Sequence, residues 1–262
     1  MFKIDSLDTD RIKNHLKTKR IGKMVMVFSS TSSTNDIAAE YARNKDNDGL
    51  AIFAEEQTKG RGRAGNKWLT GKADSLICSI VLIGGKLNLE LLSLTCAVAV
   101  ADAIDKIGRH HAKIKWPNDV LINGKKIAGI LLESKTHKGT NACVIGIGIN
   151  CHQNRESLPV ELQQTATSID IEGKTTSDRI SLAKRLLTSL DHWLDIAEKD
   201  SRKAIDQWNK LSIQSGHRVT VVFNRRKFTG NCIGIDPEKG LILQLDKGAV
   251  RMFDAAHTSI AK

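Results

Sequence analysis

Aromatic residues are scarce in this chain of 262 residues, which has one tyrosine, four tryptophans and six phenylalanines. Proteins that bind single-stranded nucleic acid without sequence preference stack bases on aromatic side chains, and so few aromatics argue against that class. No window approaches 18 consecutive apolar residues, so we expect no membrane-spanning helix and no membrane partner. The first ten residues also lack the basic and then apolar run of a secretory signal peptide.

Cysteine motifs are missing as well. The chain has five cysteines, an odd number, and neither a CxxC motif nor the Cys/His spacing of a zinc site occurs. We therefore expect reduced, small apolar side chains and a protein of the reducing cytoplasm.

Acidic residues are outnumbered by basic ones. The 40 lysines and arginines against 29 aspartates and glutamates give a net charge of +11. Such a charge suggests a nucleic-acid partner, but it equally suits an enzyme that handles anionic phosphates. The length allows one large domain, or one large and one small domain.

The hydrophobic periodicity divides the chain near residue 213. Residues 1–213 alternate apolar strands with amphipathic helices, including a long helix after Asn88 that ends at Gly108. Beyond residue 215 the apolar period becomes 2 and turn residues separate short strands, which indicates a small β-barrel or sandwich. We predict an α+β fold, in which helices pack on one face of a mixed β-sheet (domain 1–213), followed by a small barrel domain (214–262).

A glycine- and arginine-rich segment follows the strand predicted at 51–57. Its sequence GRGRAG at 60–65 matches the GxGxxG pattern of dinucleotide-binding folds. That pattern requires a helix directly after it, whereas residues 66–71 read as a loop that leads into a strand. The segment 59–72 instead carries five basic residues and no acid, which suggests a loop that binds phosphate or carboxylate groups. A solvated basic turn is the alternative.

A second polar cluster, KWPND, lies between two predicted strands at 115–119. Asn118 and Asp119 are candidate ligand contacts, although both residue types are also common in turns. In the next strand, alternation puts Lys126 on the same face as Ala128. A lysine over a partly buried surface needs an anionic partner, unless it only extends along the sheet edge into solvent.

A strand is predicted at 142–149, with its isoleucines on one face. The other face carries Gly146 and Gly148 and, just beyond the end of the strand, Asn150. A face without bulk is expected where a ligand or another backbone lies against the sheet, with close packing as the alternative. Asn150 is a candidate contact for polar ligand groups.

These motifs, in this order, resemble those of the biotin–protein ligases, from about residue 25 to the C-terminus. The resemblance implies a class II synthetase-like sheet followed by an SH3-like β-barrel. It also implies an enzyme that activates biotin with ATP to biotinyl-5′-AMP. The biotinyl group would then pass to a specific lysine of biotin carboxyl carrier protein, a subunit of acetyl-CoA carboxylase or of a similar carboxylase. The residues that carry the resemblance are Ser33-Thr34-Asn35, Gln57, GRGRxGxxW ending at Trp68, KWPND, Lys126, Gly129 and GIGIN at 146–150.

The resemblance also implies a role for each matched residue. Lys126, Arg63 and Arg61 would act in catalysis, since cations neutralise the charge that builds at phosphorus. Trp68 would stack on adenine, Asn118 and Asp119 would help to place ATP with Mg²⁺, and Asn35 would also cap the neighbouring helix. The biotin-binding set would be Ser33, Thr34, Asn35, Gln57, Gly60, Arg61, Gly62, Arg63, Lys126 and Gly129. The ATP-binding set would be Arg63, Trp68, Asn118, Asp119, Lys126 and Asn150.

Several alternatives remain open at this point. A ligase for lipoate or a similar acyl cofactor would share the fold, and a basic nucleic-acid-binding module would share the charge. Some biotin–protein ligases carry an N-terminal DNA-binding domain, but only about 32 residues precede Ser33, so we expect no DNA binding. A homodimer is compatible with the sequence. The barrel would either steady the loops or help to dock the carrier domain.

Overall fold

A seven-stranded mixed sheet forms the larger part of the computed structural model, which describes residues 5–84, 86, 88–108, 110–137, 140–173 and 176–261. Its strands are β1 (Val25–Phe28), β2 (Ala51–Ala54), β3 (Ser75–Ile83), β4 (Lys113–Lys115), β5 (Asp119–Ile122), β6 (Lys125–His137) and β7 (Thr140–Asn150). They lie in the order β1-β2-β3-β7-β6-β5-β4, with β1 and β2 parallel and all other neighbours antiparallel. The long ladders β3–β7 and β6–β7 form the floor on which the site is built.

Several helices begin where a short polar side chain caps them. Asn88 accepts a hydrogen bond from the Leu91 amide at 2.9 Å, and Asp178 accepts from the amides of Ile180 and Ser181. No described helix combines the length and the apolarity needed to cross a bilayer. The helices of the described ranges are α1 (Thr9–Lys13), α2 (Thr34–Tyr41), α3 (Leu89–Gly108), α4 (Ile169–Gly173), α5 (Arg179–Lys199) and α6 (Ser201–Leu211).

The predicted layer of helices covers one face of the sheet. Helices α3 and α5 bury residues such as Val98 and Leu186 in one cluster with Phe53 and Ile145 of the sheet. The exception is α2, which packs on the opposite face, where Ala38 belongs to a smaller cluster with sheet residues that include Ile52, Val81 and Val144. The cavity described below opens on this second face.

A second sheet follows α6, as the change of hydrophobic period predicted. Its antiparallel strands are β8 (Arg218–Phe223), β9 (Arg226–Asp236), β10 (Gly240–Leu245), β11 (Val250–Phe253) and β12 (Thr258–Ile260), in the order β11-β10-β9-β8-β12. Its buried side chains, among them Val221, Leu243 and Phe253, belong to the same hydrophobic cluster as the core under the large sheet. The fold class is therefore the predicted one, an α+β unit with an all-β unit behind it.

Candidate functional site

One cavity brings together most of the residues singled out in the sequence. It lies where the N-terminus of α2, the basic loop, the KWPND turn and the glycine positions of β6 and β7 meet. In the β6–β7 ladder Gly129 pairs with Gly148, and Leu131 with Gly146. Of the predicted set, the cavity is lined by Ser33, Thr34, Asn35, Gln57, Arg61, Gly62, Arg63, Trp68, Asn118, Asp119, Lys126 and Gly129.

Two predicted residues, Gly60 and Asn150, lie outside this lining. The Gly60 carbonyl accepts a hydrogen bond from the Trp68 amide at 3.1 Å, so Gly60 acts at the base of the loop. Asn150 is buried, and its Nδ2 donates to the carbonyl of Thr167 at 2.9 Å. A direct contact of Asn150 with a nucleotide stays a prediction.

A buried set of neutral polar groups forms one end of the cavity. Gln57 Oε1 accepts from the Thr34 amide at 2.7 Å and from the Thr34 hydroxyl at 3.0 Å. The Ser79 hydroxyl lies 2.6 Å from Thr34 Oγ1 and 2.6 Å from Asn35 Oδ1. Asn35 Nδ2 is buried and has no hydrogen-bond partner among the described residues. This end can therefore recognise an uncharged polar ring, with one donor still to be satisfied.

The predicted capping role of Asn35 is wrong. The N-cap residue of α2 is Ser33, and Asn35 lies inside the first turn with its side chain directed to Ser79. The Ser33 side chain makes no capping hydrogen bond, and the residue lines the cavity.

The basic loop folds back on itself without forming a helix beyond a single short turn. The Gly62 amide donates to the Asn66 carbonyl at 2.7 Å, and the turn passes through Ala64 and Gly65, which both have positive φ. Within residues 66–84, all of which the structure describes, no helix N-terminus follows that could hold a pyrophosphate, in agreement with the argument against a dinucleotide motif.

Four basic residues line the cavity, and three of them, Arg61, Arg63 and Lys126, belong to the predicted set. Arg61 makes a bidentate pair with Asp36, with nitrogen–oxygen distances of 3.0 and 2.6 Å, and this hydrogen bonding raises the pKa of Arg61. Lys126 Nζ lies 2.5 Å from Asp119 Oδ1. Arg63 is half-buried, which lowers its pKa from the usual value but leaves a guanidinium charged at neutral pH.

The Arg63 guanidinium is held from two sides. One nitrogen lies 3.4 Å from Asn118 Oδ1, and the other donates to the backbone carbonyl of Ala255 in the second sheet unit. The Ala255 amide in turn donates to Glu90 at the start of α3, at 2.6 Å. Both the KWPND turn and the C-terminal unit therefore fix the orientation of Arg63.

Lys126 does not lie on the face that strict alternation predicted. Val120 pairs with Ala128, but the next residue, Leu121, pairs with Lys126, so the strand contains a bulge at Ile127. A bulge adds one residue and changes the side-chain direction before it. Lys126 Nζ consequently lies 3.3 Å from where a Cβ on Gly129 would be, over the cavity, and the prediction that Lys126 shares the Ala128 face is wrong. The anionic partner expected for this lysine is Asp119.

The glycine face of the sheet is covered by side chains. A Cβ at Gly148 would lie 2.6 Å from Cζ2 of Trp68, and a Cβ at Gly129 would lie 3.1 Å from Cζ3 of the same ring. A Cβ at Gly146 would lie 3.0 Å from the amide carbon of Asn35. The glycines therefore let the indole and the Asn35 amide approach the sheet more closely than any other residue would allow.

A charged cluster that the sequence reasoning missed lies beside the stems of the basic loop. Arg179, the first residue of α5, is fully buried, and its guanidinium donates to Asp5 and Glu55 at 2.6 and 2.7 Å. His152 lies between Asp5 and Asp170, at 3.3 and 2.8 Å. The cluster joins the N-terminal segment, β2 and the end of β7 to α5.

The stability of the protein should depend on pH through His152. Hydrogen bonds to Asp5 and Asp170 raise the pKa of His152, so its contribution is complete below about pH 6.5 and is lost as the pH rises through the folded-state pKa. Burial alone would raise the pKa of Asp5, but bonds from His152 and Arg179 hold it at about 2, so that contribution disappears only as the pH falls from about 4 towards 2. We expect the difference in unfolding free energy between the wild type and His152→Gln to shrink between pH 6 and pH 8. Urea unfolding across this range measures it, and a difference independent of pH would contradict the assignment.

Comparisons with known proteins identify the family to which this chain is similar. Residues 27–150 match the Biotin/lipoate A/B protein ligase family. The chain is 30% identical over 256 residues to the bifunctional ligase/repressor BirA of Bacillus subtilis, covering 95% of this chain and 78% of that one. It is 31% identical over 231 residues to the biotin--[acetyl-CoA-carboxylase] ligase of Mycobacterium tuberculosis, covering 82% and 84%.

Comparison of the fold with solved structures points to the same family. The biotin protein ligase of Aquifex aeolicus, solved in complex with biotin and ATP, superposes with a TM-score of 0.80 at 27% identity and covers 92% of this chain and 99% of that one. The chain therefore belongs to the biotin–protein ligases, enzymes of the biotin/lipoate A/B protein ligase family.

Proposed function

We propose that the protein activates biotin with ATP to biotinyl-5′-AMP and transfers the biotinyl group to a specific lysine of a biotin carboxyl carrier domain, that of acetyl-CoA carboxylase or of a similar carboxylase. The observation that carries the proposal is the set of groups that line one cavity. Neutral hydrogen-bonding groups at Thr34 and Gln57, several cations and an indole over glycines match the ureido ring, the reacting anions and the adenine.

In this proposal the neutral end binds biotin. Gln57, Thr34 and Ser33 exchange hydrogen bonds with the ureido group, and the unpartnered Asn35 amide contributes a donor. These residues already bond one another or lie buried, so little conformational entropy is lost on binding. Gly62 and Gly129 line the same cavity, in which we place the valeryl chain and its carboxylate.

The cationic side chains of the cavity promote the first chemical step. A biotin carboxylate oxygen attacks the α-phosphorus, forming the acyl–phosphate bond, and the bond to the bridging oxygen breaks so that pyrophosphate leaves. An anion approaching a polyanion is repelled unless fixed positive charges neutralise the developing charge. Lys126, Arg61 and Arg63 supply those charges, and their partners Asp119, Asp36 and Asn118 hold them ready.

The second step needs no nucleophile from this chain. The acceptor lysine amine attacks the acyl carbon, AMP leaves, and the amine loses a proton as the amide forms. Cys78 is the one cysteine in the described cavity lining, and burial raises its pKa so far that it stays a neutral thiol. Both partners of the transfer are therefore bound groups, and the protein aligns them.

The indole end would bind the nucleotide, with Trp68 stacked on adenine. Trp68 Nε1 is buried and unpartnered among the described residues, so it is available to a ligand acceptor. Within those residues no group of three or more His, Cys, Asp or Glu side chains could hold a metal by itself. Mg²⁺ is commonly bound by one or two carboxylates together with substrate phosphates, and Asp119 with Asn118 fits that need. Bound there, Mg²⁺ would neutralise phosphate charge.

Pyrophosphate exchange with purified protein tests the proposal. Incorporation of labelled pyrophosphate into ATP should require biotin and should not be supported by lipoate. A carrier domain added afterwards should become biotinylated on one lysine. Exchange with lipoate instead of biotin would indicate the lipoate-type ligase, and salt-sensitive nucleic-acid binding without exchange would indicate the basic binding module.

Two glycine substitutions should separate the two ends of the cavity. Gly148→Ala displaces the Trp68 ring, so we expect the KM for ATP to rise about tenfold or more, in line with a base stack worth roughly 1–3 kcal/mol. Gly146→Ala on the same strand meets Asn35 and should raise the KM for biotin instead. Initial exchange rates against each substrate measure the split, and equal effects of both variants on both KM values would contradict it.

The other expectations remain proposals. These are the division into residues 1–213 and 214–262, the cytoplasmic location, the absence of DNA binding and the homodimer. With this division, the hydrogen bond from Arg63 to the Ala255 carbonyl joins the two domains. This contact supports a role of the C-terminal domain in steadying the basic loop.

A further inference from the structure

The segment that carries the site is tied down at its base by one buried guanidinium. Arg179 Nη1 donates to Glu55 Oε2 at 2.7 Å and to the Ser75 carbonyl at 3.3 Å. Glu55 directly follows β2 and Ser75 begins β3, so these contacts bracket residues 56–74. Gln57, the basic loop and Trp68 all lie between them. The Glu55 carbonyl also accepts from the Ala73 amide at 2.8 Å, which closes the base of the segment.

The N-terminal segment completes this set of bonds, and we call Arg179, Glu55 and Asp5 together the clamp. Glu55 Oε1 accepts from the Leu7 amide at 2.6 Å, and Arg179 Nε donates to Asp5 Oδ1 at 2.6 Å. The third guanidinium nitrogen, Nη2, donates to the Asp5 carbonyl. Arg179 and Leu7 are buried, and Asp5 and Glu55 expose little of their side chains. Because buried charges are costly unless they are fully bonded, only a narrow range of geometries satisfies all of these groups.

We propose that Arg179, Glu55 and Asp5 are positioning residues, which hold both stems of segment 56–74 so that Gln57, Arg63 and Trp68 face their ligands. The proposal rests on the proposed function, since it takes that segment to be the ligand-binding one. The guanidinium acts here as a planar fork with several donors, which a lysine cannot reproduce.

A second ionic cluster in the same chain serves as a matched control. Arg20 Nε lies 2.7 Å from Asp48, and Arg20 Nη1 lies 3.0 Å from Glu198. Asp48 also accepts from the Ile83 amide at 2.8 Å. None of these three charged residues is in the described lining of the cavity. A variant of this cluster perturbs a partly buried ion pair without touching the loop stems.

The experiment compares Glu55→Gln and Arg179→Lys with Asp48→Asn in the full chain. The two clamp variants should raise the KM for biotin about tenfold while kcat changes less, below the roughly 100-fold that a 1 Å misplacement can cost. They should also increase trypsin cleavage within 59–72 relative to cleavage elsewhere. Asp48→Asn should change neither the KM for biotin nor this relative cleavage. Arg179→Met should exceed Arg179→Lys in both readouts; if it does not fold, the other two clamp variants carry the test.

Two outcomes separate this proposal from the proposed function. Clamp variants that melt at a lower temperature, as we also expect of Asp48→Asn, but keep the wild-type KM and loop cleavage would overturn the positioning role. A wild-type protein without biotin-dependent exchange would overturn the proposed function, while the loop cleavage ratio would still report whether the clamp holds the segment.

Discussion

Replacing Lys126 with alanine should slow adenylate formation by about 100- to 1,000-fold, the loss commonly caused by removing one group that stabilises a transition-state charge. Lys126 Nζ lies over the cavity beside Asp119, where biotin carboxylate and α-phosphate would meet. The fold should survive, because the side chain is partly exposed and the backbone bonds of Lys126 to Thr165 and Thr167 remain. Exchange rates at saturating biotin and ATP measure the effect, which should appear in kcat.

The control for this variant is Lys125→Ala. It removes the same charge from the preceding residue of β6, which is not part of the described cavity lining. Exchange by this control should stay close to the wild-type rate. Wild-type exchange in Lys126→Ala would remove Lys126 from the catalytic set and would leave Arg61 and Arg63 as the cations to examine.

Arg63→Gly should release biotinyl-5′-AMP into solution instead of abolishing its formation. A charge-assisted hydrogen bond of about 1.5–3 kcal/mol corresponds to about 10- to 150-fold faster dissociation. The freed acyl adenylate is a reactive mixed anhydride, so lysines of bystander proteins should become biotinylated. Biotin detected on an added bystander protein, in the absence of any carrier domain, measures this leak.

Lys59→Gly is the matched control for the leak. It removes one charge and adds one glycine in the same loop, at an exposed position outside the described cavity lining. Bystander labelling by this variant should match the wild type. If Arg63→Gly cannot form the adenylate at all, Arg63 is essential to the chemical step and the retention role is wrong.

Most of the fold could be predicted because the hydrophobic period reports secondary structure directly. The change from period 3.6 to period 2 near residue 215 separated the α+β part from the second sheet. The period shows which side of a helix is apolar, but it does not show which face of the sheet the helix covers. It therefore could not predict that α2 packs on the opposite face of the sheet from α3 and α5. Strand β12, only three residues long, is too short to leave a pattern.

The site could be predicted where its residues form local motifs. Arg61, Arg63, Trp68, Asn118 and Lys126 belong to short segments whose order along the chain is specific, and the fold brings them to one cavity. The face of Lys126 was mispredicted because a bulge cannot be read from alternation, which assumes one residue against one.

The clamp could not be predicted from local sequence. Arg179 is 124 residues from Glu55 and 174 from Asp5, so no spacing relates them. Each is a single charged residue of an ordinary type until the chain folds. The weak signal available was Glu55 itself, an acid that directly follows the apolar run AIFA.

The bond from Arg63 to Ala255 has a consequence for how related sequences diverge. Its acceptor is a backbone carbonyl, which every residue type possesses, so this bond does not itself require alanine at position 255 but does require that the backbone stay in place. The C-terminal unit can therefore accumulate substitutions and still hold the arginine. In an alignment such a contact would leave little trace at position 255 and would be visible only as a preserved length of chain.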